Sequence, residues 1–150
     1  MPPFRHTVHV RWAELDSNGH MRNSAYLDLA SHVRMTFFAA HGFPAAEFAR
    51  QRFGPVVRRD ELSFRRELRL LDKVDVTFEL EAMSRDGARF RIVNRFLRDG
   101  AEVARVTSTG GWLDLDRRRL TAPPEGLLAA MRTLSGKGAV ADLDDPPAAD

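Results

Sequence analysis

The sequence predicts an α+β fold in which an antiparallel sheet wraps around one long central helix. Three observations predict it. A single segment, from about residue 24 to 41, repeats apolar residues at helical spacing. The chain beyond it alternates polar and apolar residues strand after strand. Asp86-Gly87 and Asp99-Gly100 supply strong hairpin turns, so three consecutive strands run antiparallel. With one helix available to cover one apolar sheet face, the economical arrangement is a sheet curled around that helix.

The elements follow in order. In "HTVHVRW", Val8, Val10 and Trp12 alternate with Thr7, His9 and Arg11, the period of a half-buried strand. A loop containing Asp16 comes next, and Asn23 or Ser24 then offers a helix N-cap. Tyr26, Ala30, Val33 and Phe37 form the buried stripe, widened by Leu29 and Phe38, over a helix roughly 27 Å long. Gly42 and Pro44 stop it. A strand region starts with "GPVVRRDELSFRREL", where Leu62 and Phe64 oppose Ser63 and Arg65. In "KVDVTFELEAM", Val74, Val76, Phe78, Leu80 and Ala82 set a clean alternation. "ARFRIVNRFLR" and "AEVARVTSTGGWLDLD" complete the meander, and "PEGLLAAMRTL" forms a short amphipathic helix. Residues 1–134 are expected to make one domain, and residues 135–150, rich in Gly, Ala, Asp and Pro, a mobile tail.

Composition narrows the function. Hydrophobic residues are 43% and charged residues 29% of the 150, a balance that argues against disorder over most of the chain. No apolar run approaches the roughly 20 residues that span a bilayer, and "MPPFRHTVHV" lacks the apolar segment of a secretory signal, so a cytoplasmic protein without membrane partners is expected. There are no cysteines, which excludes disulfides, thiolate nucleophiles and cysteine-ligated metals. The net charge is +2, but residues 135–150 hold one Lys and four Asp, leaving +5 on the rest. All but two of the 23 basic residues are Arg, a type suited to phosphate but also a common compositional bias. Nucleic acid is not an expected partner, because the aromatic residues are mostly Phe in alternating core positions.

The chemistry concentrates in "DSNGHMRN", residues 16–23. Asp16 ends a strand and lies just before the helix start, so a tight loop can turn its carboxylate toward the unpaired N–H groups of the first turn. Those donors, with the helix dipole, polarise a carbonyl or bind an anion. A carboxylate beside them is the outline of an acyl-transfer site. The plain alternative is an Asx-type turn at Asp16, a positive φ at Gly19 and a cap at Asn23. His20 has no second His or acid at ligand spacing, so no metal is expected. Neither Ser17 nor Ser24 sits in a nucleophile elbow, which removes a serine triad.

"VRWAELDSNGHMRNSAYLDLASHVR" closely resembles the start of hot-dog fold acyl-CoA thioesterases of the 4-hydroxybenzoyl-CoA thioesterase family. Their pattern is a strand followed by D-x-x-G-H-[VM]-x-N-x-x-Y at the opening of the central helix. Asp16, Gly19, His20, Met21, Asn23 and Tyr26 match it, and the resemblance extends over about residues 6–122. It implies a cytoplasmic hydrolase of acyl-CoA that needs no cofactor and works as a homodimer or homotetramer with sites between subunits. It implies Asp16 as nucleophile or general base and the Asn23 N–H as the oxyanion donor. Gly19 and His20 would shape the loop, and Tyr26 would line the acyl pocket or pack in the core. Arg58 and Arg59, or Arg117, Arg118 and Arg119, are candidates for the CoA phosphates, against a plain role as solvated edge charges. Two other readings stay open: a non-catalytic acyl-CoA-binding hot-dog protein, and a hot-dog hydratase or dehydratase using Asp16 with His20.

Overall fold

The computed structural model describes residues 4–135 and 140–144. In chain order it contains β1 (Phe4–His9), a 3-10 turn (Trp12–Glu14), α1 (Asn23–Ala40), α2 (Ala45–Gln51), β2 (Phe53–Phe64) and β3 (Lys73–Met83). These are followed by β4 (Arg89–Arg98), β5 (Ala101–Asp114), β6 (Arg119–Leu120), α3 (Glu125–Arg132), a 3-10 turn (Thr133–Ser135) and β7 (Ala141–Asp142).

The clean alternation of β3 puts that strand inside the sheet, whose order is β1-β3-β4-β5-β2. Val74, Val76, Phe78 and Leu80 are buried on one face, and Ala82 is buried beyond a bulge that shifts the register after Leu80. β3, β4 and β5 form the expected antiparallel meander. Asp99 and Gly100 both have positive φ, as a two-residue hairpin turn requires. β2 pairs antiparallel with β5 and leaves its other edge open. At Gly110 a Cβ would lie 1.9 Å from the Val56 carbonyl oxygen, so only glycine lets β2 bulge against β5 there.

This curled sheet wraps α1, a hot-dog architecture of mixed α+β class. Ala25, Tyr26, Ala30, Val33, Phe37 and Phe38 face the core, close to the stripe read from the sequence. Phe38 is at the centre: its ring lies 5.8 Å from Phe78, 5.5 Å from Trp112 and 5.8 Å from Phe48. Each such ring contributes roughly 1.5–3 kcal/mol by leaving water.

Five expectations need correction. Trp12 is not an inward strand residue but 78% exposed. β1 ends at His9, and the Glu14 carboxylate, buried, accepts from the Arg11 amide at 2.9 Å, tightening a 3-10 turn that throws Trp12 outward. The helix cap is Arg22, not Asn23 or Ser24, because Arg22 is the last extended residue (ψ 152°) and Asn23 is already helical. Gly42 and Pro44 stop α1, but the strand region does not follow at once; Pro44 caps α2, which buries Phe48. The strand begun at "GPVV" ends at Phe64, where the amides of Arg65 and Arg66 both turn onto the Val103 carbonyl. The last helix is shorter than expected, ending at Arg132 in a 3-10 turn. Of the expected tail, residues 136–139 and 145–150 lie outside the described residues, while Ala141 and Asp142 pair in parallel with Ala82 and Met83 of β3.

Candidate active site

The loop after the first 3-10 turn is a small closed structure. Leu15 bridges Met21, the Asp16 amide donates to the His20 carbonyl at 2.7 Å, and the Gly19 amide donates to the Asp16 carbonyl at 3.1 Å. Gly19 has φ +77°, a left-handed conformation that costs most residues 1–2 kcal/mol, a rough general figure. Neighbouring chain fixes the loop from outside: the Met21 amide donates to the Leu68 carbonyl, and His20 bridges Arg69.

Within this frame one carboxylate oxygen of Asp16 is used and one is spare. Oδ1 accepts from the amides of Asn18 (2.9 Å) and His20 (3.1 Å). Among the described residues nothing donates to Oδ2. The Asx-type turn read from the sequence is present, and it leaves the second carboxylate oxygen without a donor among the described residues.

Opposite it, α1 begins without a side-chain cap. Arg22 instead directs its guanidinium to the Ala13 carbonyl and, at 3.0 Å, to the Ser24 hydroxyl. The N–H of Asn23, the first helical residue, has no intrahelical partner and donates to no other group among the described residues. Asp16, His20, Asn23 and Tyr26 border one cavity of about 290 Å³, closed on its far side by Phe64, Arg65, Arg66 and Glu67.

Tyr26 is 2% exposed, edge-on to Phe64 and Phe96 at 5.1 Å each. Burial raises its phenol above the ordinary value, the negative charges of Asp16 and Glu67 raise it further, and Arg98 opposes them. Glu67 is a second acid that the sequence reading missed. Its carboxyl is held below its usual range by a hydrogen bond from its own amide, then by His20 and Arg69. Arg98 holds this segment by donating to the Glu67 carbonyl (3.2 Å) and to Asp72 (2.9 Å).

The proposed phosphate arginines are not in this cavity. Arg58 and Arg59 stand exposed on β2, Arg59 paired with Glu61 at 2.8 Å. Arg117, Arg118 and Arg119 flank the β5–β6 turn beside Asp114, which pairs with Phe53 at the other end of β2. That is roughly 35 Å along the strand from Phe64, at about 3.3 Å per residue. Arg65 and Arg66 border the cavity instead. Among the described residues no group of three or more His, Asp or Glu is placed to hold a metal ion, and no helix is long and apolar enough to cross a membrane.

A family model described as the thioesterase-like superfamily matches residues 10–131, most of the chain and all of this cavity. The chain belongs to the thioesterase-like superfamily. Solved structures agree on the fold. A hypothetical protein from Staphylococcus aureus, SAV2348, determined in complex with CoA, superposes with a TM-score of 0.81 at 20% identity, over 99% of this chain and 96% of that one. The 1,4-dihydroxy-2-naphthoyl-CoA thioesterase Slr0204 from Synechocystis gives 0.78 at 16% identity, over 97% and 100%. The gentisyl-coenzyme A thioesterase BH1999 gives 0.75 at 16% identity, over 85% and 99%. At these identities the similarity is one of fold. No curated protein sequence matches the chain at a significant level.

Proposed function

We propose that the protein hydrolyses the thioester of acyl-CoA to free acid and CoA. The observation that carries this reading is the pairing, across one cavity, of a carboxylate with one unengaged oxygen at Asp16 and an unpaired helix-start N–H at Asn23. The thioester oxygen accepts from Asn23, where charge develops as the carbonyl carbon becomes tetrahedral. Asp16 Oδ2 either takes a proton from an attacking water or attacks that carbon itself, CoA leaves as the thiolate, and in the second case water then hydrolyses the acyl–Asp16 anhydride to free acid and carboxylate. Gly19 and His20 keep the loop in shape, and the buried Tyr26 forms the wall that meets the acyl group.

Asp16 and Asn23 are both exposed in one protomer, so the cavity is open on one side. A homodimer or homotetramer is the arrangement that closes it, with the open edge of β2 as the contact. For the CoA phosphates, Arg65 and Arg66 stand nearest; Arg58 and Arg59, or Arg117, Arg118 and Arg119, serve only if a second subunit brings them close. A cytoplasmic setting suits a chain without cysteines acting on CoA esters.

The test is a panel of aliphatic, branched and aromatic acyl-CoA thioesters followed by free-thiol detection, with binding measured in parallel. Turnover by the native chain and binding without turnover by Asp16→Asn is the expected result. Binding without turnover by both would make it an acyl-CoA-binding protein. An Asp16→Asn variant with native turnover would return Asp16 to a turn residue.

A further inference from the structure

Midway along α1 lies a second cavity, of about 230 Å³, between the helix and strands β2 and β4. Met35, Phe38, Val57, Phe90 and Met131 make most of its wall. One side chain in that wall is charged. Arg34 borders the cavity, yet it is only 7% exposed.

The sheet holds Arg34 by one edge of its guanidinium. Nε donates to Asn94 Oδ1 at 2.9 Å and Nη2 to Ser108 Oγ at 2.7 Å. Both acceptors are themselves fixed. Asn94 donates to the Thr77 carbonyl at 2.7 Å, and the Ser108 hydroxyl donates to Asp60 on β2. Nη1 donates to no group among the described residues, and none of their sealed side-chain polar atoms lacks a partner. Nη1 therefore touches accessible space, and Arg34 is one of the residues that line this cavity. Burial lowers the guanidinium pKa to about 10, with Asp60 opposing, so it is still charged at neutral pH. Asp60 lies on the exposed edge strand and is hydrogen-bonded to Ser108, and among the described residues Nη1 has no acceptor.

An apolar pocket with one pre-positioned cationic donor selects its ligand by shape and charge together. A dry cavity of about 150 Å³ accepts a benzene ring, so the space here suits one ring or branched alkyl group with a small polar head. We propose that this cavity binds a compact apolar carboxylate, its body against Phe38 and Phe90 and its carboxylate accepting from Arg34 Nη1. The acid has two possible sources. It is the acyl moiety or released product of the thioester reaction, reaching the cavity from a neighbouring active site, or it is an independent small acid that regulates the protein. The binding claim rests on neither.

The probes are benzoate and its neutral isostere benzamide, titrated calorimetrically into the full chain. Benzoate should bind roughly 10-fold more tightly than benzamide, as expected for a charge-assisted contact. Arg34→Gln should abolish that preference while benzamide binding is kept. Ser31→Phe, an exposed helix position on the cavity rim, should block both probes without touching the Arg34 contacts. Equal binding of the two probes by the native chain, no binding of either, or an undiminished preference in a folded Arg34→Gln chain overturns the proposal. If Arg34→Gln does not fold, Ser31→Phe decides: unchanged benzoate affinity overturns it. Inhibition of acyl-CoA hydrolysis that is competitive marks the acid as acyl moiety or product, and non-competitive inhibition marks a regulator. A chain that binds benzoate as described but hydrolyses no thioester keeps this site and loses only the catalytic reading.

Discussion

At the start of α1 the functional groups hang on a short exposed loop, whereas midway along the helix Arg34 is buried and tied to the sheet. Asp16 is aimed by two amides of its own loop, and its charge stays in contact with water. Arg34 needs Asn94 and Ser108, drawn from β4 and β5, to make a charge tolerable under the helix. An exposed acid can thus be aimed by amides of its own loop, which residues 68 and 69 brace, while a buried cation requires side-chain partners distant in sequence. Side-chain changes at Asp16 should alter chemistry with little effect on folding. Changes at the second region should alter both.

The largest effect is expected in the aromatic core beside the second cavity. Phe38→Ala removes a ring in contact with Phe48, Phe78 and Trp112 and should lower stability by about 3–5 kcal/mol in urea denaturation. A loss under about 1 kcal/mol would mean that this region is the looser of the two. Asp16→Asn comes next. The amide oxygen can still accept from Asn18 and His20, so the chain should fold with its stability within about 0.5 kcal/mol of native, as for most surface changes. Turnover should nonetheless fall roughly 100-fold or more, as for loss of a general base. Matching losses of rate and stability would show that the acid region is not locally supported.

Which of these regions could be read in advance follows from the same contrast. Asp16, Gly19, His20, Asn23 and Tyr26 lie within one short stretch, and their meeting is decided by a turn and a helix start. Phe64, Arg65, Arg66 and Glu67 enter the same cavity only because β2 runs back along β5 and bends at Val103, which no local pattern announces. Arg34 was hidden differently. An arginine beside Val33 reads as the solvent side of the stripe, and only the polar residues of β4 and β5 reveal it as an interior group. β3 was plain because Val74, Val76, Phe78 and Leu80 are buried on one face, so the period of two holds as far as the bulge after Leu80. Trp12 continued that same period on paper, but Glu14 had already turned the chain.

Smaller effects refine the first region. At Gly19 a Cβ would meet nothing within 4 Å, so Gly19→Ala should cost about 1–2 kcal/mol through its φ of +77° alone. Gly19→Asn, a residue that tolerates this conformation, should cost less, and thermal unfolding of both variants checks the order. Equal melting temperatures for the two would contradict a backbone origin. The smallest effect concerns Tyr26. Its phenol is raised in the folded state, so above the ordinary value of 10.0 the unfolded chain releases this proton first. The contribution is therefore complete below pH 10 and is lost as pH rises through the folded value. Native stability should fall more steeply than that of Tyr26→Phe in this window. Parallel curves would mean that the phenol is not held by burial.

The uncapped start of α1 has a consequence for how this protein responds to selection. Replacing Arg22 by Asn would supply the side-chain cap that the helix lacks, a change worth roughly 0.5–2 kcal/mol in other helices. The new side chain would accept from the N–H of Ser24 or Ala25 and leave that of Asn23, where the thioester oxygen is proposed to bind, open. Mutants collected for heat resistance should therefore accumulate caps at position 22 without losing turnover, because stability and the proposed oxyanion contact draw on different N–H groups of the same helix start.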